Sequence, residues 1–508
     1  LDGNGLPEIL FRTPVAGGVP ATYHLLSFAG VSIRDITWLG VTATDLPQIV
    51  GDVDGDGLQD VLATFVEQIS YSGRYHALTG PYPDLLTSVT SPHGGVTTIG
   101  YEPSKGENQT LLRQIRQTVT SVTEADGRGH SAVTTYAYAG GLYDYAERRF
   151  LGFRTVTETL PKIGDETVAP TRTYTFRQDL AAAGRIAKLE VKDDAGRLIR
   201  TVVHDWDSFT REATASTPAY FRAREAAVST TDYDWSSGAP ATSRVSRTEY
   251  DQDLYGNVTQ ERRLGRLDTT ADDRAVRRGY YPNTEDYIVG LKGWESLSEL
   301  VDGVTTYRAK LRVYYDAAVS YTNPPTAGDI ARLYRWNDQT NTWVYRSYAY
   351  DTFGNRTASA DETGSLADPN RRTDVAYDNT WNLFPVTETT PANEFDDRLV
   401  TTRTWKESCG KPASVTDPNG AGTTTTYDRF CRPLTVEKPL GDYEHWSYDD
   451  DAVNGWTGRV LTPAPTGQTT ELFTETLFDG LGRPVKVTKS GPSATQAIIV
   501  DTGWDGRG

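Results

Sequence analysis

Short runs of alternating large and small or polar residues, broken by glycine and proline, set the texture of this chain. TTYAYAGGLYDYAERRFLGFRTVTET at 134–159 and TYRAKLRVYY at 306–315 put bulky side chains at every second position over several residues. That period of two belongs to a strand with one half-buried face. PDLLTSVTSPHGGVTTIGYEPS at 83–104 reads as strand, turn, strand, with Gly-Gly at the turn. Only the stretch around Leu180 to Leu189 suggests a helix, and a short one.

Composition sharpens this to an all-β prediction. Tyrosine outnumbers phenylalanine 29 to 14, as suits half-buried strand positions that keep a hydroxyl near solvent or backbone. The 46 glycines and 26 prolines supply the turns. An 11% aromatic content is too high for a disordered chain, and no run of about 18 apolar residues offers a membrane span. The first residues, LDGNGLPEIL, carry neither an initiator methionine nor a signal peptide, so the sequence reads as the interior of a longer protein.

A second pattern lies on top of the strands. Tyr-Asp pairs recur in TEYDQDLYGNVT at 248–259, YDTFGNRT at 350–357, AYDNTWNLFPVTET at 376–389 and TYDRFCRPL at 426–434, with LFDGLGRPVKV at 477–487 and WDGRG at 504–508 as variants. Each unit is a strand ending in an aromatic, an aspartate able to cap the turn, and a glycine able to take positive φ. The result is one hairpin after another, and since a lone hairpin is marginal, neighbours must pair into a continuous sheet. The repeat positions are Tyr250, Asp251 and Gly256; Tyr350, Asp351 and Gly354; Tyr377 and Asp378; Tyr427 and Asp428; and Phe478, Asp479 and Gly482. Four residues separate Asp251 from Gly256, which predicts a longer turn there, and Cys431 stands where the repeat has glycine. Phe478 and Trp504 keep the ring and drop the tyrosine hydroxyl.

The sharpest chemical motif is GDVDGDGLQDVL at 51–62. Asp52, Asp54, Asp56 and Asp60, with the carbonyl of Leu58, offer the closely spaced oxygens that a hard cation such as Ca²⁺ requires. No glutamate stands at position 12 and a strand follows, which excludes an EF-hand. A partial copy, Asp2, Asn4, Leu6 and Glu8, aligns with Asp54, Asp56, Leu58 and Asp60 at an offset of 52 residues, the length of one propeller blade.

Charge and the remaining reactive residues narrow the function classes. A net charge of −17 repels phosphate backbones, so the arginine–tyrosine alternation of 306–315 reads as a strand with one solvated face and not as a single-strand binder. The six histidines belong to no nucleophile or metal signature, and the adjacent His204 and Asp205 point to opposite faces of a strand. The acid pairs Asp193–Asp194 and Asp449–Asp451 sit in turn contexts, as does DGRG at 126–129. Cys409 and Cys431 flank a hairpin whose turn is TDPNG at 416–420; they form either a disulfide or two buried thiols, because sequence does not fix the register.

At these residues the chain resembles known families. The Asp-rich loops resemble the Ca²⁺-holding FG-GAP repeats of integrin-like propellers. The Tyr-Asp series resembles RHS/YD-repeat proteins, and the block from LLTSVTSPHGG through YDYAERRFLGF resembles the middle region of the B component of Tc-type insecticidal toxin complexes and its Spv-type relatives. The resemblance implies a propeller remnant over 1–82, a toxin-B-like middle region over 83–240 and a YD-repeat segment over 241–508. It further implies an open part of a hollow β-shell, structural Ca²⁺ at Asp52, Asp54, Asp56, Leu58 and Asp60 and at the partial copy, and a secreted or cell-surface, non-catalytic protein. In that family the shell encloses a cytotoxic polypeptide and the propeller docks onto a translocation channel; the expected partners are therefore the rest of a longer chain, an enclosed toxin and a channel protein. A secreted or wall-associated adhesion or fibre-forming protein without cargo is the competing expectation, since YD repeats also occur in such proteins.

Overall fold

A computed structural model describes the side chains of most of residues 85–508, leaving aside 106–111, 113–114, 210–219, 236–241, 300–303, 317, 450–456, 466–468, 492 and 494–495. Before residue 85 it describes strands between 8 and 76 as backbone, and side chains only at Gly51, Asp52, Leu58, Asp60 and Leu62. The expected boundaries at 82/83 and 240/241 lie outside these residues. The chain divides into two compact units, one of Leu1–Leu198 with Asp505–Gly508 and one of Ile199–Trp504.

The first unit is a set of antiparallel sheets. Glu8–Arg12, Tyr23–Ser27 and Ser32–Asp35 form a three-stranded sheet, and Asp45–Gly51, Asp60–Glu67 and Ser70–His76 form another. Glu8 and Asp60, which the 52-residue offset aligns, each begin a strand. A third sheet runs through Ser88–Thr90, Val96–Pro103, Gln117–Ala125, Ser131–Ala139, Thr155–Thr159, Thr171–Phe176 and Ile186–Lys192, each pairing with the next. The RRFLGF block is an excursion from it. Leu151 is buried there, Phe153 lies 5.0 Å from Tyr138 and 5.5 Å from Phe150, and Gln178 donates to the carbonyls of Gly140 and Gly152. Gly140, at φ 67°, cannot carry a side chain: a Cβ would lie 2.7 Å from that of Arg154.

The expected helix near Leu180 is absent. Residues 180–184 are a turn and Ile186–Lys192 is a strand paired with Thr171–Phe176. Asp179 accepts from the Ala182 N–H, Gly184 takes φ 79° and Ala182 is fully buried, so the small residues serve a tight hairpin end in place of a helix.

The second unit is an antiparallel meander. Every strand from Leu198–Arg211 to Ala497–Asp501 pairs with its sequence neighbour. Burial alternates along a few of these strands, such as Gly422–Tyr427, but Tyr220–Asp234 is of intermediate exposure at nearly every position, as in a single layer with two partly open faces. Few side chains of this unit are fully buried, and most of those, such as Ala227, Ala358 and Ala360, are small. With so little core, the sheet depends on its ladders, its turns and side-chain contacts along each face.

One face of Lys292–Val301, Val304–Tyr315, Ile330–Asn337 and Thr342–Tyr350 shows such contacts. The rings of Tyr314, Tyr334 and Tyr345 lie 4.8 and 4.9 Å apart in series. The Arg312 guanidinium stands over both Tyr321 and Trp343, and the Lys310 ammonium over both Tyr307 and Trp336. The arginine–tyrosine alternation of 306–315 thus engages its ring faces internally.

Candidate functional site

Because strands alternate in direction, every second turn of the second unit falls on the same edge of its sheet. Most strands that run toward this edge carry an aromatic at or next to their last residue. The turn after Tyr350 shows the common build. Asp351 accepts from the Phe353 and Asn355 N–H groups at 2.9 Å each and from the Asn355 amide at 3.0 Å, while the Gly354 N–H returns to the Asp351 carbonyl. Gly354 takes φ 83°. This is a type I turn closed by a left-handed residue, the geometry of a three-residue hairpin loop.

The same arrangement recurs at Asp428–Arg432 and Asp479–Arg483, where the arginine at the fifth position replaces asparagine and bonds the capping carboxylate. Cys431 takes φ 62° in the glycine position. The Asn355 amide, helped by the N–H groups of Asn355 and Phe353, holds the Asp351 carboxyl below the usual range.

Two turns depart from the expected pattern. The turn near 251 is not longer: Asp253, not Asp251, is its cap, accepting from the Tyr255 and Asn257 N–H groups at 2.9 Å each. Tyr250 and Asp251 remain in the strand Thr242–Gln252, opposite Glu261 and Gln260. The longer turn follows Asp378, whose carboxylate accepts four backbone N–H groups, from Phe384, Trp381, Leu383 and Thr380. Those bonds, the Phe384 one foremost, lower its pKa to about 2.

The aromatic before most of these turns has a second task. The ladder slips by a residue beside it, as between Ala349 and Tyr350 or Thr426 and Tyr427. Its polar atom then closes on a carbonyl at the start of the preceding strand: Tyr280 to Val258 at 3.2 Å, Tyr315 to Lys292 at 3.1 Å, Tyr350 to Ile330 at 3.1 Å, Tyr377 to Arg356 at 3.2 Å, Tyr427 to Pro412 at 2.8 Å and Tyr448 to Pro433 at 3.0 Å. Trp405 and Trp504 make the same bond through the indole N–H, to Pro385 and Pro484, both at 2.9 Å. Trp504 therefore replaces the hydroxyl it was expected to lack. Burial pushes the hydroxyls of Tyr280, Tyr315, Tyr350 and Tyr448 up in pKa, which keeps them protonated donors.

Adjacent turns on this edge are also joined to one another. Asn257 donates to the Val289 carbonyl, Asn283 to that of Pro325 and Asn355 to that of Asn382. The Trp381 indole reaches the Glu407 carboxylate at 3.0 Å, and Cys409 is disulfide-bonded to Cys431 with their Cα atoms 5.5 Å apart. The cysteines lie in two successive turns of the edge, not on the paired strands between them.

Several participants were not singled out from sequence. Tyr315–Asp316 and Tyr448–Asp449 carry the Tyr-Asp pair but lack glycine three residues after the aspartate, and Trp405 lacks the pair altogether. Asp193, in the first unit and read from sequence as a turn residue, and Asn393, on the opposite edge of the second unit, cap repeat-type turns without a preceding tyrosine.

The carboxylate loop is described in part. Gly51 pairs with Asp60, so the strands Asp45–Gly51 and Asp60–Glu67 bring Asp52 and Asp60 to one end of a hairpin, and Asp60 and Leu58 are buried. A buried carboxylate at the mouth of an aspartate-rich loop fits a cation's donor set. Asp54, Asp56, Asp2, Asn4, Leu6 and the Glu8 side chain lie outside the described residues, and among the described ones no three metal-ligating side chains cluster. His204 bonds Glu225 at 2.6 Å, and Asp205 bonds Arg247 at 3.0 Å, so the two form no dyad with each other.

Residues 28–178 match the family model described as the insecticide toxin TcdB middle/N-terminal region, and this part of the chain is a Tc-toxin-B-like region. No curated protein matches the sequence. Among solved structures, the chain is similar to the TcdB2-TccC3 crystal structure with a TM-score of 0.68 at 14% identity, over 94% of this chain and 33% of that one. It is similar to the Photorhabdus luminescens Tc holotoxin pore with a TM-score of 0.70 at 13% identity, over 99% and 35%. TcdB2-TccC3 without its hypervariable C-terminal region gives 0.69 at 13% identity, over 96% and 35%. The likeness establishes a shared fold, and the chain spans about a third of the length of the structures it matches.

Proposed function

We propose that this chain is a non-catalytic shell segment of a secreted RHS/YD-repeat protein that helps enclose and deliver a toxin or effector polypeptide. The observation that supports it best is the stitched turn edge. It is a device for holding a broad, nearly coreless sheet rigid, which a container wall needs and a catalytic cleft does not. The TcdB-type match over 28–178 and the fold shared with TcdB2-TccC3 support the same reading. By analogy with those structures, its partners are a TccC3-like polypeptide and a pore-forming component. The 51–62 loop holds structural Ca²⁺ in this reading, through Asp52, Asp60 and the Leu58 carbonyl together with Asp54 and Asp56.

Proteolysis of the full-length protein containing this sequence tests the proposal. With the intact protein exposed to a nonspecific protease, a polypeptide segment that becomes digestible only after denaturation is the expected result. If no segment is shielded and the protein assembles into filaments under the electron microscope, the adhesion or fibre reading replaces it.

A further inference from the structure

Among the described turns on the stitched edge, Asp253, Asn283, Asp316, Asp351, Asp378, Asp428 and Asp479 each cap their own turn through a side-chain oxygen. The turn at Glu407–Gly410 is the exception. It is a single 3-10 turn with no side-chain cap at Lys406, closed on itself only by the Gly410 N–H on the Glu407 carbonyl. Apart from the Lys406–Lys411 ladder pair that flanks it, its other restraints come from neighbouring turns. These are the Trp381 indole on Glu407, the Lys411 ammonium on the Cys431 carbonyl at 2.7 Å, and the disulfide. Across the bridge the situation is reversed. Cys431 sits in a turn that Asp428 closes independently, accepting from the Phe430 and Arg432 N–H groups.

We propose that the Cys409–Cys431 disulfide is a redox-operated latch whose reduction opens the 407–410 turn and leaves the capped turns beside it closed. Both cysteines are partly exposed, so a dithiol can reach them. One thiolate of the reductant attacks a bridge sulfur and forms a mixed disulfide; its second thiol then resolves it. Two electrons and two protons pass to the protein, which gains two thiols while the reductant leaves as its own disulfide. The asymmetry follows from the caps: the 428–432 turn retains its Asp428 bonds, whereas the 407–410 turn has no carboxylate cap and keeps its Gly410–Glu407 backbone bond, the flanking Lys406–Lys411 pair and two exposed side-chain contacts. The edge is thus sealed in an oxidising compartment and unlatched in a reducing one, whatever the sheet encloses.

Limited proteolysis of the full chain reads this out. Glu407 is exposed inside the latched turn and Arg429 inside the capped one, so a glutamate-specific protease and trypsin report on the two separately. Under a dithiol, cleavage after Glu407 should accelerate at least tenfold, with cleavage after Arg429 changing less than twofold. Cys431→Gly installs the residue that the sister turns carry, and should make Glu407 cleavage fast with or without reductant. If that variant fails to fold, hydrogen exchange of the Ser408, Cys409 and Gly410 amides in oxidised and reduced wild-type protein decides instead. Equal cleavage or exchange in both redox states overturns the proposal, and so does acceleration at Glu407 and Arg429 alike.

Discussion

The turns Asp351–Asn355 and Glu407–Gly410 meet the same requirement by different chemistry. Both follow a strand whose closing aromatic, Tyr350 in one and Trp405 in the other, donates to a carbonyl at the start of the preceding strand. Both hand a side chain contact to the next turn on the edge. In the first, one carboxylate gathers the turn's N–H groups and the turn is complete in itself. In the second, that carboxylate is missing and a covalent bond to a neighbouring turn takes its place. The comparison separates two functions that the Tyr-Asp repeat usually fuses. The aromatic ties strand to strand and survives in both, whereas the cap is local and can be replaced.

Four substitutions and one acid titration test that contrast. Asp351→Ala should have the largest effect, because it leaves two turn N–H groups and the Asn355 amide without their acceptor; the expected result is clearly raised local opening of the 351–355 turn by hydrogen exchange. Glu407→Ala, which removes no cap, should raise opening far less in the same measurement.

Tyr350→Phe and Trp405→Phe should come next and match each other at about 1 kcal/mol, since each deletes one hydrogen bond and retains a ring. A Trp405→Phe loss confined to its own turn, with no change at the Pro385 end of the preceding strand, would contradict the strand-tying role.

The smallest effect concerns acid. The Asp378 carboxyl has a folded pKa of about 2, below its unfolded value of about 3.9. A depressed pKa means that its stabilisation is present above about pH 4 and is lost as pH falls toward 2. The 378–384 turn should therefore begin to open in that window, seen as faster exchange of the Trp381 and Phe384 amides.

Turn chemistry was largely legible in the sequence, and its errors are instructive. The Tyr-Asp pair drew attention to Asp251, but the turn counts back from glycine: the cap stands three residues before the left-handed position, which selects Asp253 before Gly256 just as Asp351 precedes Gly354. Applied alone, that spacing would also have found Asp193 before Gly196. The leucine and alanines near Leu180 looked helical because propensity ignores what the flanking strands demand. In the carboxylate loop the register places Asp52 and Asp60 at one hairpin end.

The features readable from the linear string were local: period-two strands, glycine- and aspartate-closed turns, an all-β chain, and the TcdB-like block around RRFLGF. Those features depend on interactions within a few residues, which a linear string displays. Only the tertiary structure decided that Tyr350 serves Ile330, that Asn257 serves Val289, and that Cys409 meets Cys431 across successive turns of one edge. Such partners lie 20 to 32 residues apart and are set by how each strand slips against the next. A slip of one residue would send the same side chains to the opposite face, and nothing in the local sequence forbids it.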